Sequence, residues 1–374
     1  MNKKSRLLVI STALIFGPAL AFSWGPEGHM TISDIAQAHL TPETKAAISD
    51  VLGSDQTSLA DISNYPDTLR YGPTDFGGLL SKPIAKDPAT APWHYINIPV
   101  QATLSQTPTN GELDQYPDCE KNASGPVAQM MQDSVQNCIQ AQIKFAITRL
   151  ETPRPVQQMG VSQQDFDQTV TLWKDRRIIA LSYLVHLVGD EHQPMHTSED
   201  NNDQGGNIEQ VVFQGKLERL HELWDDLIDK TGWQSQTPEG ANALAQKLLA
   251  DLDTLPQNEV ASWISGDVEA TINNAIGESF NISKNTIYPD YYRLPKNQAG
   301  GPVTLPPEYQ AEMQPIAHRR LQIAGVRLAH ILNQINWDGA TPQAKTERAT
   351  SILARPQKHR TPVSSITSQG TDHQ

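Results

Sequence analysis

Residues 178–196 read IIALSYLVHLVGDEHQPMH, and this stretch decides the fold class. The apolar positions of its first half recur at helical spacing: Ile178, Leu181, Tyr183, Leu184, Val185 and Leu187. They predict a largely buried helix that ends near Gly189. The second half carries imidazole and carboxylate groups, so a polar cluster follows directly on a buried helix.

Two further patterns of the same kind favour an all-α protein. One predicts a helix from Leu217, Leu220, Trp224, Leu227 and Ile228, and the other a helix over about Pro315 to Ile335. Thr41-Pro42-Glu43 is typical of a helix start, and Gly53 of a helix end. Between residues 66 and 122 Pro and Gly are frequent, and only 93–100 is consistent with a strand or an extended loop. We therefore expect one mainly helical domain over 24–337, with irregular loops and a short β-like segment.

Composition limits the function. The chain has 374 residues, 38% of them hydrophobic, which is enough for a large core. It carries 29 Lys and Arg against 42 Asp and Glu, a formal net charge of −13. This charge excludes a nucleic-acid binder that works through a basic surface alone.

The first 23 residues have the pattern of a secretory signal peptide. Lys3, Lys4 and Arg6 precede an apolar run that Pro18 interrupts, and Ala-Phe-Ser at 21–23 fits a cleavage site. A membrane anchor is the alternative, but a bilayer span needs about 20 apolar residues. Cleavage would leave 26 basic and 42 acidic residues, a charge of −16. We expect an exported protein, periplasmic or secreted, that begins at Trp24 and has no stable membrane association.

The remaining features concern the termini of the domain and its cysteines. Residues 338–374 are polar and poor in large apolar groups, so we expect a disordered tail there. Cys119 and Cys138 are the two cysteines of the chain. Because export permits disulfides, we expect a bridge that joins an irregular segment to a helix. A catalytic thiol is the alternative, although neither cysteine has an adjacent His or basic residue.

Histidines concentrate around the deciding stretch. His186 and Asp190 are four residues apart, as are His221 and Asp225, so each pair shares a helix face, and His196 lies between the two pairs. One such pair is most simply a surface ion pair. Two pairs on apolar helices are costly to bury unless they are paired or bind metal, and imidazole with carboxylate is a ligand set that zinc accepts. The pattern predicts a site for several metal ions.

The cleavage site gives Trp24 a second role. A free α-amine and its carbonyl can chelate one cation, with His29 as a neighbouring ligand. The alternative is a buried aromatic residue near a frayed terminus.

Taken together, these motifs resemble the exported, single-strand-specific zinc nucleases named after the fungal nucleases S-one and P-one, which include plant bifunctional nucleases and are also called 3′-nucleotidase/nucleases. The resemblance runs from Trp24 to about Trp337. Six motifs appear in order: Trp-Gly-x-x-Gly-His at 24–29, Tyr-Pro-Asp-x-x-Arg at 65–70, Trp-His-Tyr-Ile-Asn at 93–97, His-x-x-x-Asp-x-His-Gln-Pro-x-His at 186–196, Gly-Gly-Asn at 205–207 and Leu-His-x-x-Trp-Asp at 220–225.

The resemblance implies three zinc ions and assigns their ligands. One ion would take Asp67, His94, His186 and Asp190; a second Asp190, His29 and the amine and carbonyl of Trp24; the third His196, His221 and Asp225. Asp67 is preferred to Asp61 because it follows an aromatic-Pro pair and precedes a basic residue by three positions. His192 is left as a supporting or structural residue.

The same resemblance implies the chemistry. The zinc ions would activate water for attack on phosphorus and stabilise the leaving 3′ oxygen. Arg70 and Asn207 would contact the phosphate. Tyr95 would stack on an unpaired base, which favours single-stranded DNA and RNA, and 3′-nucleotides are further implied substrates. Asn97 stands where the family usually has an acidic residue, so the base preference is open.

Two other functions stay open at this point. A zinc-dependent phospholipase C belongs to a related all-helical family and also starts its mature chain with Trp. Trp-His-Tyr-Ile-Asn, Gly-Gly-Asn and Asp225 in place of Glu favour the nuclease. A non-catalytic zinc-sequestering protein would bind the metal and hydrolyse no phosphodiester.

Overall fold

The computed structural model of the protein describes residues 24–226, 237–296 and 301–338. Helices account for most of them, and β-structure is limited to short strands, so the predicted all-α class is confirmed. The α-helices are α1 (Pro26–His39), α2 (Pro42–Leu52), α3 (Leu59–Ile62), α4 (Tyr65–Tyr71), α5 (Asn110–Leu113), α6 (Gly125–Met131), α7 (Ile139–Leu150), α8 (Gln163–Asp190), α9 (Leu220–Asp226), α10 (Pro238–Leu252), α11 (Gln257–Trp263), α12 (Val268–Ile282), α13 (Tyr288–Arg293) and α14 (Tyr309–Gln334).

Short 3₁₀ and π segments and one small sheet complete the described part of the chain. The 3₁₀ helices are Pro88–His94, Pro117–Cys119 and Pro194–Thr197, and a π-helical turn covers Ser283–Ile287. The strands β1 (Gln210–Phe213), β2 (Lys216–Arg219) and β3 (Val303–Thr304) are ordered β2-β1-β3. β1 pairs antiparallel with β2 and parallel with β3.

Helix α8 is the centre of the molecule. Its 28 residues span roughly 42 Å at 1.5 Å per residue, and its C-terminal half, from Arg177 onward, is buried. The buried helix predicted from the sequence is therefore confirmed, with its end at Asp190. It packs against α1, α7 and α14, so groups at its C-terminal end lie inside the protein.

The signals for the start and end of α2 are confirmed. The Thr41 hydroxyl accepts a hydrogen bond from the Thr44 amide at 3.2 Å, and Gly53 adopts the left-handed conformation at φ 68°. The predicted start of the last helix is wrong: α14 begins at Tyr309 and contains Pro315. Proline is common in the first turn of a helix, but it can also lie further along the helix, where it removes one backbone hydrogen-bond donor.

Two other local predictions are corrected. Leu217 lies on β2 and is 48% exposed. Gln214 and Gly215 have left-handed backbone conformations and form the turn that joins β1 to β2 in a hairpin. Helix α9 therefore begins only at Leu220, and 227–228 lie outside the described residues. At 93–100 the extended-loop alternative is confirmed and the strand alternative is wrong: a 3₁₀ turn ends at His94 and an extended loop follows, whereas the sheet lies at 210–219 and 303–304.

The disulfide prediction is confirmed. Cys119 ends a 3₁₀ turn and bonds to Cys138, the residue that precedes α7, with 4.9 Å between their Cα atoms. An irregular segment is thus fixed to a helix. The expected signal peptide at 1–23 and the tail beyond residue 338 lie outside the described residues. Within the described ranges, no helix is long and apolar enough to cross a membrane.

Candidate metal centre

The first group of candidate ligands is assembled around the end of α8. His186 and Asp190 lie one turn apart on this helix, and α4 contributes Asp67. The 3₁₀ segment ends at His94, and the first turn of α1 contributes His29. All five side chains are buried. Residues spread over 160 positions of sequence therefore meet in one pocket.

Asp190 lies between the other members of this group. Its Oδ2 atom is 2.9 Å from His94 Nδ1 and 3.3 Å from His186 Nε2, while its Oδ1 atom is 3.3 Å from His29 Nε2. The two oxygens thus face different imidazoles, which is the geometry of a carboxylate that can bridge two cations. Asp67 completes the group at 3.8 Å from both His94 Nδ1 and His186 Nε2.

The close packing of His29 depends on a glycine. A Cβ atom added at Gly189 would lie 2.9 Å from His29 Nδ1. The imidazole also stacks on His186 with 3.8 Å between ring centroids. The structure further groups His29 with Asp67 and His186 as possible ligands of one ion, a combination that the sequence does not indicate.

The second group consists of His196, His221 and Asp225. The Nε2 atoms of the two histidines are 3.2 Å apart, and His221 Nε2 is 3.7 Å from Asp225 Oδ2. One ligand atom from each residue lies within 4.8 Å of the others. Gln193 donates from its amide to Asp225 Oδ1 at 2.6 Å. Gln193 lies inside the longest motif, yet its spacing did not single it out.

The hydrogen bonds of the histidines show that these groups fit metal ions. His186 Nδ1 is 2.7 Å from the Ser63 carbonyl, His196 Nδ1 is 2.6 Å from the His94 carbonyl and His221 Nδ1 is 2.7 Å from the Gly205 carbonyl. A carbonyl only accepts, so each Nδ1 carries the proton and each Nε2 presents a lone pair.

These lone pairs point into the two groups. His196 Nε2 and His221 Nε2 face each other at 3.2 Å. In the first group, His186 Nε2 lies 3.1 Å from His94 Nδ1 and 3.3 Å from Asp190 Oδ2. Both ring nitrogens of buried His29 and Nε2 of His94 have no hydrogen-bond partner among the described residues. Buried acceptors in this arrangement require a cation or leave their polar atoms uncompensated.

Electrostatics keeps most of these imidazoles neutral. Burial lowers the pKa of His29, His94 and His196 well below the ordinary value, and neighbouring positive charge adds to the effect. A neutral imidazole is the form that binds metal. Burial also raises the pKa of Asp190 to about 7, because the effect of burial is larger than the lowering effect of His186 and Arg70. A bound cation would favour the ionised carboxylate.

The other predicted site residues lie around these groups. Arg70, in the last turn of α4, donates to Asp67 Oδ1 at 3.0 Å, and its charge helps to lower the pKa of His94, His196 and His221 after burial. Asn207 lies in the loop before β1, with its amide bonded to the Gln204 carbonyl at 2.9 Å.

Tyr95 and Asn97 are half-buried on the extended loop after His94. The backbone N–H of Asn97 donates to Asp118 Oδ2 at 2.7 Å, and the pKa of Tyr95 is raised by burial and by the charge of Asp118. Asp118 is a neighbour that the sequence did not indicate, because the disulfide at Cys119 brings it there.

Three further residues were considered from the sequence: Asp61 and His192, which it did not assign as ligands, and Trp24, which the resemblance assigns as one. Asp61, the rejected alternative to Asp67, is in a capping box with Ser58 at the start of α3. His192 donates from Nδ1 to the Val188 carbonyl at 2.7 Å, and its Nε2 is 3.2 Å from Arg327. Trp24 is fully buried, and its indole donates to the Gly189 carbonyl at 3.0 Å.

The fold and these residues define a helical protein with a candidate multinuclear metal centre. The sequence model of the S1/P1 nuclease family matches residues 24–336. The chain therefore belongs to the S1/P1 nuclease family, and it is a nuclease.

Relatives agree over most of the chain. Nuclease S1 of Aspergillus oryzae is 26% identical over 88% of this chain and 98% of its own length. Endonuclease 4 of Arabidopsis thaliana is 28% identical over 88% of this chain and 94% of its own. Nuclease P1 of Penicillium citrinum is 25% identical over 65% and 73%. These matches favour the nuclease over the phospholipase C alternative.

Proposed function

We propose that this protein is an exported endonuclease that uses three zinc ions. It hydrolyses single-stranded DNA and RNA to 5′-phosphorylated products and also acts on 3′-nucleotides. The observation that carries the proposal is the pair of buried lone pairs on His196 Nε2 and His221 Nε2, which face each other at 3.2 Å.

The ligands divide into three sets. Asp67, His94, His186 and Asp190 hold one ion, and His196, His221 and Asp225 hold another. Asp190 would also be a ligand of the remaining ion, and the other ligands of that ion would be His29 and the amine and carbonyl of Trp24. Imidazole and carboxylate ligands without a thiolate suit zinc, and the second-sphere carbonyls fix the histidine tautomers. The position of Asp190 between His29 and the pair His94 and His186 supports the bridge.

Removal of residues 1–23 is part of the proposal, because the Trp24 amine becomes a ligand only after cleavage. The indole of Trp24 bonds to the carbonyl of Gly189, the residue before Asp190, and the Gly25 amide donates to the Asp225 carbonyl at 3.2 Å. The backbone of 24–25 thus lies beside both ligand groups. Residues 24–337 form the catalytic unit, and 338–374 are a tail outside it.

Zinc, when bound, supplies an activated water and a positive charge for the leaving 3′ oxygen. Arg70 clamps a non-bridging phosphate oxygen, since its guanidinium is already fixed by Asp67 and its charge reaches both ligand groups. Asn207 donates from its amide to the phosphate after leaving its bond to Gln204.

Tyr95 provides the base site. The half-buried ring follows His94 directly, so a base stacked on it places its phosphate near the ligands. A base is available for stacking only when it is unpaired, which accounts for the preference for single strands. Asn97 offers both a donor and an acceptor to the base edge.

The test uses protein that begins at Trp24, incubated with single-stranded DNA, with and without a chelator. We expect chelator-sensitive cleavage that leaves 5′-phosphates, little cleavage of duplex DNA, and release of phosphate from 3′-AMP. An Asp67→Asn variant should lose the activity, whereas Asp61→Asn, which changes an exposed helix cap, should keep it. Zinc-loaded protein that cleaves phosphatidylcholine but no DNA, or nothing at all, would overturn the proposal.

A further inference from the structure

The loop at residues 200–209 connects the segment of His196 to β1 and has an unusual backbone. Five of its residues have positive φ, between 52° and 81°: Asn201, Asn202, Gln204, Gly205 and Gly206. For residues other than glycine this region of the backbone is strained, although less so for Asn. Such a loop keeps its shape only if the surrounding contacts hold it.

Three tyrosines of α13 hold this loop. Tyr288 donates to Asp203 Oδ2 at 2.7 Å, Tyr292 donates to Asp200 Oδ2 at 2.6 Å, and Tyr291 donates to Glu209. Positions 288, 291 and 292 share one face of the helix. We call these three residues the tyrosine clamp. Its three hydroxyls donate hydrogen bonds to carboxylates near the start, the middle and the end of the loop.

Most groups of the tyrosine clamp and its acceptors are buried. Tyr288 and Tyr291 are buried, and Asp200 and Asp203 are buried with them. Burial and the adjacent carboxylate raise the pKa of Tyr288, so the phenol stays protonated and donates. In the π-helical turn before α13, the Ser283 hydroxyl donates a hydrogen bond to the Pro194 carbonyl at 2.7 Å. The same helix end therefore contacts both segments that flank His196.

The loop in turn contacts the second ligand group. The Gly205 carbonyl accepts from His221 Nδ1 at 2.7 Å, which directs Nε2 of that ring toward His196. A Cβ atom at Gly205 would lie 2.5 Å from the Met195 carbonyl. The carbonyl is thus held in a tight space, and a small shift of the loop would turn the His221 ring.

We propose that the tyrosine clamp positions His221 for metal binding by holding the loop at residues 200–209. The three tyrosines are positioning residues, because their hydroxyls reach the loop carboxylates and not the ligand groups. The inference rests on the proposed function for the identity of the metal. It predicts that loss of the clamp weakens one metal site and leaves the sites around Asp190 intact.

The test measures zinc binding to protein that begins at Trp24, by competition with a chromogenic chelator. In Tyr288→Phe/Tyr292→Phe we expect one of three zinc ions to bind about tenfold more weakly, with two ions retained. Asp290→Asn is the matched control, since Asp290 pairs with the exposed Arg293 on the same helix and is not one of the three clamp tyrosines. It should bind all three ions as the wild type does.

A purely structural role would lower the unfolding temperature and weaken all the ions together, and that result, or three ions bound with wild-type affinity, would overturn the proposal. Tyr292→Phe alone decides the matter if the double variant does not fold, because this ring is 45% exposed. Its expected effect is about threefold on the same ion. If the wild type binds zinc but cleaves no single-stranded DNA, the proposed function fails while the zinc measurement still tests the clamp.

Discussion

Two buried polar clusters lie against the C-terminal end of α8, and they differ in how their polar atoms are paired. In the arginine network, formed by Arg320, Arg327, Glu278 and His192, every guanidinium nitrogen has a partner. Arg320 and Arg327 bond to Glu278 at 2.6 and 2.7 Å, and to His192 at its carbonyl and its Nε2. The remaining donors reach carbonyls and a hydroxyl.

The candidate metal centre has the opposite character. His29 has no hydrogen bond from its ring among the described residues, and the lone pairs of His196 and His221 face each other. The arginines of the first cluster are fully hydrogen-bonded, although both carboxylate oxygens of neighbouring Glu191 have no hydrogen-bond partner among the described residues. Paired donors contribute to stability and order, whereas buried acceptors that face one another need an added cation. Two neighbouring residues at one helix end therefore differ in role. Asp190 belongs to the candidate metal centre, whereas His192, two residues later, belongs to the arginine network.

The largest effect is expected for Asp190→Ala. This change removes the carboxylate that lies between His29 and the pair His94 and His186, so the two ions of the proposed bridge would each lose a ligand. We expect cleavage of single-stranded DNA to fall by about 10³-fold or more, together with zinc content, measured by metal analysis of the same preparation. Near-normal turnover with full zinc content would show that Asp190 is not a shared ligand.

A smaller effect is expected when one residue precedes Trp24. Protein that begins at Ser23 has no free amine at Trp24, so the ion that we propose for Asp190 and His29 would lose a chelating group. Activity should fall by roughly 10- to 100-fold, with zinc per chain reduced, relative to protein that begins at Trp24. The starting residue is checked by mass spectrometry, and equal rates and zinc contents would refute the terminal ligand.

The arginine network should respond in the opposite way. Glu278→Gln leaves the buried guanidinium groups of Arg320 and Arg327 without their carboxylate. We expect a loss of about 2 kcal/mol in the free energy of unfolding, below the roughly 3–5 kcal/mol for a fully buried pair because the Glu278 side chain is 41% exposed. Denaturant unfolding measures it. Zinc content and activity should stay within about twofold, and a selective loss of zinc would erase the distinction between the clusters.

The smallest effect is the pH dependence of that difference. Burial would raise the pKa of Glu278, but hydrogen bonds and charge from Arg327 and Arg320 lower it to about 2. A carboxyl group with a depressed pKa stabilises the fold above its unfolded value, about 4.3, and the benefit disappears as pH falls toward 2. The gap in unfolding temperature between wild type and Glu278→Gln should narrow from pH 5 to pH 2.5; a constant gap contradicts the ion pairing.

The sequence predicted the parts of the site that lie on regular helices. His186 with Asp190 and His221 with Asp225 are one turn apart, so helical spacing alone placed each pair on one face. The choice of Asp67 over Asp61 came from the motif around it, and the structure places Asp67 in the first group and Asp61 in a helix cap. Helix α8 and the disulfide were also predicted, because a long apolar run and two cysteines leave few alternatives.

What the sequence did not predict depends on contacts between distant segments. The tyrosine clamp joins residues more than 80 positions apart, and Asp118 reaches Asn97 only through the disulfide fold of its loop. Leu217 fitted a helical stripe, yet the left-handed pair Gln214-Gly215 starts a hairpin there. A hairpin turn of this kind depends on the left-handed backbone at these two positions, which apolar spacing does not report.

The most direct test of the central claim is anomalous scattering at the zinc edge from crystals of protein that begins at Trp24. The three proposed ligand sets predict three strong peaks. One should lie among Asp67, His94, His186 and Asp190, one beside His29 and the Trp24 amine, and one among His196, His221 and Asp225. An anomalous map without peaks at these ligands, from zinc-supplemented crystals of folded protein, would contradict the account.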